Sequence, residues 1–161
     1  MELHPPLDDR TTWSPIGNCP VEKAMAVIGT RNSMLIMREA FYGTTRFDDF
    51  AQRVGMAPAT TSANLKALAD AGLLARRPYR DPGGRSREEY LLTESGRDLM
   101  PAMFALFRWG QKHAGGPALL DLAHIGCGES VEVTVSCRSH HEVGLDEVEL
   151  WSRRADPAEA Q

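Results

Sequence analysis

The centre of the chain carries two short amphipathic helical patterns separated by a three-residue turn. The patterns cover residues 46–54 and 58–71, and the turn is Gly55-Met56-Ala57. The side chains predicted to face the core are Phe47, Phe50 and Val54 in the first pattern and Thr61, Leu65 and Leu68 in the second. Two short helices joined by a turn that contains Gly are typical of the helix-turn-helix motif, although other helical hairpins share this pattern.

A basic β-hairpin is predicted directly after the second helix. Residues 73–79 have strand character, Asp81-Pro82-Gly83-Gly84 is a dense turn signal, and residues 88–92 form the returning strand. The hairpin carries five arginines, which are Arg76, Arg77, Arg80, Arg85 and Arg87. A hairpin in this place is a wing. The sequence therefore predicts a mainly α protein with a small β wing (α+β), a winged helix-turn-helix followed by a short C-terminal β extension.

Helical patterns also flank this central part. One helix is predicted from Pro20 to a stop at Gly29 and a second from residue 33 to 42. After the wing, Thr93 is predicted to cap a long helix over residues 94–113, with a kink or break near Pro101. The apolar side of this helix is larger than one small winged domain needs. We therefore expect a second copy of the chain to cover it, which makes the protein a homodimer.

Breaks between the helical and strand patterns divide the chain into four predicted regions. Residues 1–18 are an extended, Pro-containing arm, and residues 19–114 are the winged helix-turn-helix and dimerisation domain. Residues 115–155 are a β-containing extension in which Val131, Val133 and Val135 alternate, and residues 156–161 are a disordered polar tail.

Charge and composition exclude several classes of protein. The net charge is −4, but residues 31–92 hold ten Lys and Arg against seven Asp and Glu, so the centre is mildly basic. The longest apolar runs are too short to span a bilayer, and the start has no secretory signal, so we expect a cytoplasmic protein. Three cysteines argue against a disulfide framework. No nucleophile with a base and no phosphate loop is visible, so we expect neither an enzyme nor a required cofactor.

The order of these parts resembles a known family. The residues that carry the resemblance are Cys19-Pro20-Val21, residues 34–39 and 46–50, Leu65 and Leu68, Ala71-Gly72-Leu73, residues 76–79 and 90–97, and Trp109-Gly110. Together they resemble the HxlR-type branch of winged helix regulators, related to the MarR type, over residues 18–114. The resemblance implies a homodimer that binds double-stranded operator DNA, usually as a repressor, with its recognition helix in the major groove and its wing near the minor groove.

The predicted recognition helix presents a small, weakly charged surface. Its outward residues are Thr60, Ser62, Ala63 and Lys66, with Asn64 at the side, where it could pair with an adenine edge if it turned inward. Members of the family often carry Arg at the positions of Ala59 and Asn64. Phosphate contacts, above all from the wing arginines, and recognition of DNA shape should therefore supply much of the binding. The alternative is that Arg80, Arg85 and Arg87 form a solvated face paired with Asp81, Glu88 and Glu89.

Cys19 is a candidate sensor. It precedes Pro20 at the predicted start of a helix, where the helix dipole favours the thiolate form. In some proteins that resemble this family, a cysteine at this place responds to oxidants or electrophiles. The alternative is an inert, partly buried thiol.

Two His and Cys pairs in the extension have metal-ligand spacing. His124-x-x-Cys127 is followed by Cys137-x-x-His140, a set that could hold structural zinc with four protein ligands and no open position. The alternative is a small β unit with scattered His and Cys.

Of three functional classes, an enzyme that uses the His and Cys residues of the tail is the weakest, and two others are left open by the sequence. The first is a DNA-binding regulator gated by an oxidant, an electrophile or a small-molecule effector. The second is a winged-helix interaction module without sequence-specific DNA binding, which the depleted recognition helix and the acidic tail favour.

Overall fold

The computed structural model describes residues 1–11, 17–80, 83–84, 86–117 and 119–152. The chain divides into a larger unit, Cys19–Val131, and a smaller unit made of Met1–Asn18 with Glu132–Gln161. The division after residue 18 coincides with the predicted one. The second division falls after residue 131 rather than after residue 114, and the predicted tail at 156–161 lies outside the described residues.

Four helices open the larger unit. They are α1 (Pro20–Ile28), α2 (Arg31–Phe41), α3 (Phe47–Val54) and α4 (Pro58–Asp70). Their boundaries follow from local chemistry. Pro20 and Pro58 each lie in the first turn of a helix, where a missing N–H costs little. Thr30 caps α2 by accepting a hydrogen bond from the Ser33 N–H.

The wing is an antiparallel hairpin of β2 (Leu74–Arg80) and β3 (Ser86–Leu92), with Leu74 opposite Leu92. Two helices follow where the sequence predicts a single kinked one. These are α5 (Glu94–Asp98) and α6 (Met100–His113), which meet at Leu99. Pro101 explains the break, because a proline is accepted in the first turn of a new helix but not inside a continuous one.

The core of the larger unit lies between the helices and the hairpin. Its fully buried side chains are Ile36, Met37, Phe50, Thr61, Leu65, Leu68 and Leu74. Phe50 meets Tyr90 of β3 edge to face, with 6.4 Å between the ring centroids, so the core joins α3 to the wing. These packing partners confirm the predicted winged helix-turn-helix fold.

Residues 119–131 belong to the larger unit, in which Arg108 of α6 holds them by hydrogen bonds. Its guanidinium donates to the Val131 carbonyl at 2.8 Å and to Asp121 at 2.5 Å. Asp121 also accepts from the Ser130 hydroxyl at 2.7 Å. The hydrogen bonds that Asp121 accepts from the Ser130 hydroxyl, the Leu122 N–H and Arg108 lower its pKa to about 2.

Two predictions about the segments outside residues 19–114 are corrected. The N-terminal arm is not simply extended, because β1 (Glu2–Leu3) pairs in parallel with β4 (Glu149–Leu150) and Leu7 is buried. A 3₁₀ turn, Leu145–Glu147, precedes β4. The alternating residues 131–135 form no regular strand, since pairing in this region is limited to the isolated bridges Ala123–Ser130 and Ser136–Glu142.

Within the part of the chain that the structure describes, no helix is both long enough and apolar enough to cross a bilayer.

Candidate nucleic-acid interface

The two central helices and their turn position one exposed helical face. Gly55 ends α3 in the left-handed conformation, with φ of 70°, which a glycine adopts without steric cost. The chain then enters α4, whose Thr61, Leu65 and Leu68 face the core as the sequence predicts. Thr61 also donates a hydrogen bond to the Ala57 carbonyl at 3.1 Å, which closes the first turn. The opposite face of α4 is left to solvent.

This exposed face holds most of the predicted base-reading residues. Thr60, Ser62, Ala63 and Lys66 are exposed on α4, while Asn64 is half-buried. The Asn64 amide donates to the Thr60 carbonyl at 2.8 Å and accepts from the Ser33 hydroxyl at 3.5 Å. Asn64 therefore connects α4 to α2 in this structure, and its side chain would have to release these bonds to read a base.

An acidic residue that sequence reasoning missed lies beside this face. The Asp70 carboxylate pairs with Lys66, four residues earlier on α4, and with Arg76 of β2 at 3.7 Å. The hydrogen bond from Lys66, helped by the charges of Lys66 and Arg76, lowers the pKa of Asp70. The i,i+4 spacing of Lys66 and Asp70 is the signal that could have found the pair.

The hairpin arginines are partly engaged with acids. Arg77 pairs with Glu89 across the hairpin at 2.7 Å, and Arg87 pairs with Asp48 of α3 at 2.8 Å. Arg80 is exposed and has no ion-pair partner among the described residues, and Arg85 lies outside them. The alternative of acid-paired arginines thus describes part of the hairpin, and among the described residues Arg87 pairs with Asp48 of α3.

Arg46 is a further cation near the hairpin that the sequence did not single out. Its guanidinium lies over the Tyr79 ring, 5.2 Å from the centroid. The neighbouring Thr45 carbonyl accepts a hydrogen bond from the Tyr90 N–H at 2.8 Å, which fixes the start of α3 against β3. An Arg held on an aromatic ring beside a basic hairpin adds positive charge to the same region.

Cys19 is the N-cap residue of α1 and is half-buried. Its backbone carbonyl accepts from the Lys23 N–H at 3.1 Å, but its thiol makes no capping hydrogen bond. Cys19 therefore lies at a helix start, as the sequence predicts, but its side chain does not cap the helix.

The predicted zinc ligands fall in both units. In the larger unit, His124 Nδ1 and Cys127 Sγ are 3.2 Å apart on one turn. In the smaller unit, the Cys137 carbonyl accepts from the His140 N–H at 2.9 Å, so these two residues also share a turn. Each pair is locally compact, and zinc binding by the four together stays a prediction.

Apolar side chains are exposed on α1 and α6. Val21 and Met25 on α1 are 65% and 51% exposed. On α6, Leu106 and Trp109 are 54% and 61% exposed. Between α2 and α6 lies a cavity of about 240 Å³, whose lining includes Met34, Phe41, Met103, Phe104 and Phe107.

Known proteins share this architecture. Residues 27–116 match the model of the HxlR-like helix-turn-helix family. An uncharacterized HTH-type transcriptional regulator of Mycobacterium tuberculosis is 39% identical over 120 residues, which are 73% of this chain and 74% of that protein. A regulator of the same description in Mycobacterium bovis matches equally well.

Solved structures agree. PA1607, described as a candidate transcription factor, superposes with a TM-score of 0.78 at 30% identity, over 86% of this chain and 98% of that one. The redox regulator HypR in its reduced form superposes with a TM-score of 0.54 at 27% identity, over 60% of this chain and 94% of that one. The chain belongs to the HxlR-like helix-turn-helix family and is a transcriptional regulator with a DNA-binding fold.

Proposed function

We propose that the chain acts as a homodimeric repressor on a near-palindromic operator, with α4 in the major groove and the β2–β3 hairpin near the minor groove. The observation that carries this proposal is the solvent-exposed face of α4, whose side chains are small or hydroxyl-bearing, next to a hairpin rich in arginine. Hydroxyls of Thr60 and Ser62 reach phosphates or base edges, and the Ala63 methyl suits a thymine methyl.

Salt dependence of binding tests the DNA contact and separates it from the alternative interaction module. Because Lys and Arg release counterions from the duplex, affinity for a generic duplex should fall steeply as salt rises. Arg80→Ala should lower affinity for all sequences and flatten the slope by about one unit per lost phosphate contact. Arg138→Ala, which removes the same charge from the smaller unit, is the matched control. A flat salt dependence of the natural protein would favour the interaction module.

The exposed apolar side chains of α1 and α6 support the dimer. Leu106 and Trp109 are large, solvent-facing residues on the last helix of the larger unit, and Val21 and Met25 add apolar area on its first helix. Exposed apolar area of this kind marks an association surface. A second copy placed there would carry a second α4 and a second hairpin, as a palindromic operator requires.

Gating of the regulator by an oxidant or electrophile is proposed at Cys19. The thiol lies at the start of α1, the helix whose apolar residues Val21 and Met25 would contribute to the dimer. Modification there would change how α1 packs against the second copy. The similarity to HypR, a redox regulator, adds support. An oxidant should release the operator from the natural protein and from Cys127→Ser, but not from Cys19→Ser. Release from Cys19→Ser as well would refute the assignment.

A small-molecule effector is the second proposed gate. The α2–α6 cavity of about 240 Å³ is lined mainly by Met, Leu and Phe side chains, and Arg38 is the charged residue among its described lining. Such walls suit a compact, largely apolar ligand. A screen of aromatic compounds by thermal shift should yield ligands whose effect is lost in Met103→Trp, which fills the cavity. Ligands that bind Met103→Trp unchanged would place the effector elsewhere.

A further inference from the structure

The smaller unit brings together three potential metal ligands that come from the two ends of the chain. Glu2, His4 and Glu149 each offer one ligand atom, and these atoms all lie within 4.8 Å of one another. Pairing of β1 with β4 sets Glu2 opposite Glu149, while backbone hydrogen bonds from Glu2 to Val148 and from His4 to Leu150 hold the register. The spacing of Glu2 and His4, two residues apart in an extended chain, puts their side chains on one face.

The His4 ring has an unexplained nitrogen. Its Nε2 is buried and has no hydrogen-bond partner among the described residues. Glu149 Oε2 lies 3.4 Å away, where it forms an ion pair only with a protonated imidazole, and it accepts no hydrogen bond from Nε2. Buried polar atoms without partners are rare in folded proteins and often mark a bound ion or water.

The same 3.4 Å separation suits two atoms that share a metal ion. Two ligand atoms that each lie about 2.1 Å from a tetrahedral ion are about 3.4 Å apart. Glu2 and Glu149 also face each other across the strand pair, and two like charges in that relation repel unless a cation lies between them. Both the distance and the charge thus favour a bridging cation.

Trp151 contacts two of the three potential metal ligands, His4 and Glu149, and fixes their orientation. Its ring stacks on the His4 imidazole, with centroids 3.8 Å apart and planes within 9°. Its indole N–H donates to Glu149 Oε2 at 3.1 Å. A ligating carboxylate in a metal site is commonly held by such an outer hydrogen bond. A ring that fixes the histidine and a donor that fixes the carboxylate pre-organise the set.

We infer that Glu2, His4 and Glu149 bind a divalent transition-metal ion of the Zn²⁺ class. An imidazole ligand disfavours Mg²⁺ and Ca²⁺, which prefer oxygen, and the two carboxylates balance the charge of the ion. Three protein ligands leave a coordination position for water. The ion would join the first and last strands of the smaller unit, so metal binding and folding of this unit are coupled. This site shares no residue with the predicted His124, Cys127, Cys137 and His140 set.

The test is a Zn²⁺ titration of the full chain without a histidine tag, in a Cys127→Ser/Cys137→Ser background that removes the competing thiolates. Calorimetry should give one Zn²⁺ per chain. Adding Glu149→Gln or His4→Ala should weaken binding at least tenfold, while His141→Ala, a matched histidine control in the same unit, should leave it unchanged. No binding in the Cys127→Ser/Cys137→Ser background, or equal affinity in Glu149→Gln, would overturn the site.

A second measurement does not depend on ligand variants that could unfold. Trp151→Phe keeps an aromatic ring on His4 but removes the indole donor, so Zn²⁺ affinity should fall by about 10–100-fold. In the natural protein, in which the Trp151 ring stacks on His4, one equivalent of Co²⁺ should broaden the Trp151 indole N–H resonance before other signals. A Trp151 resonance that stays sharp with one bound Co²⁺ would place the ion elsewhere, which contradicts the inference.

Discussion

Four of the five described cations that the sequence assigns to DNA are already paired with acids. Lys66 and Arg76 share Asp70, Arg77 pairs with Glu89, and Arg87 pairs with Asp48. Exposed ion pairs of this kind are weak and are screened by salt, so a DNA phosphate can compete for the cation. The acids therefore lower the positive field of the interface without removing its cations.

Asp70→Asn should strengthen binding to generic duplex DNA, because it frees both Lys66 and Arg76 for phosphates. The salt slope should steepen by up to about two units, since each added phosphate contact contributes about 0.9. Fluorescence anisotropy at several salt concentrations measures both quantities. Asp146→Asn, the same change in the smaller unit, is the control. Weaker binding of Asp70→Asn would instead show that Asp70 holds these cations in place for DNA.

Asp121 should titrate far below a free aspartate. Its folded pKa is about 2, lowered by the Ser130 hydroxyl, the Leu122 N–H and Arg108, against an ordinary value of 3.8. A lowered pKa stabilises the fold at pH values above the unfolded pKa, and this contribution is lost as pH falls from about 4 towards 2. The carboxyl ¹³C shift of Asp121 should have its midpoint near 2, and Arg108→Ala should raise it. A titration midpoint near 4 in the natural protein would exclude the hydrogen bond from Arg108 to Asp121.

Among the elements, α5 depends on a close approach to the backbone that begins the wing. A Cβ built on Gly96 would lie 2.2 Å from the Leu73 carbonyl oxygen. Thr93, which caps α5, donates to the Gly72 carbonyl at 2.6 Å in the same place. The short helix thus packs directly on the junction of α4 and β2, where only a glycine fits.

Two glycine substitutions in neighbouring helices test this packing. Gly96→Ala should lower the free energy of unfolding by about 1–3 kcal/mol, because backbone must move to make room. In α6, a Cβ added at Gly110 meets nothing within 4 Å. Gly110→Ala should therefore raise the free energy of unfolding by about 0.5–1 kcal/mol, because alanine lowers the backbone entropy of the unfolded chain. Urea unfolding of both variants gives the comparison. Equal effects of the two substitutions would contradict the close contact at Gly96.

Elements with strong local signals were predictable from the sequence. The start of α1 at Pro20, the turn at Gly55 and the buried face of α4 follow from short-range chemistry, and the structure has them. The break at Leu99 was expected only as a kink or break near Pro101. Alternation of Val131, Val133 and Val135 predicted a strand that is absent, because β periodicity alone does not supply a pairing partner.

Features that need long-range pairing were not predictable. Nothing local indicates that Glu2 lies opposite Glu149, or that Arg108 binds the carbonyl of Val131. Within the candidate interface, too, some features were predictable from the sequence and others were not. The exposed positions of Thr60, Ser62 and Lys66 follow from the helical period, whereas the hydrogen bonds of Asn64 depend on where α2 packs.

At the scale of the whole molecule, the exposed α6 residues predict self-association. Trp109→Lys should raise the dimer dissociation constant by about 30-fold or more, because a buried Trp at the centre of an interface commonly contributes 2 kcal/mol or more. Sedimentation velocity over a concentration series measures this constant. Ile125→Lys, at a residue that is 97% exposed outside the helices, should leave it unchanged. Equal self-association of all three proteins would exclude α6 as the interface.

Two copies of the chain should present their α4 helices to successive major grooves of one duplex. A hydroxyl-radical footprint, on a duplex selected from a random library by the natural protein, tests it most directly. Two symmetric protected half-sites should appear, with their centres about 34–36 Å apart, which is one helical turn. A single isolated half-site, or uniform protection with no two-fold symmetry, would contradict it.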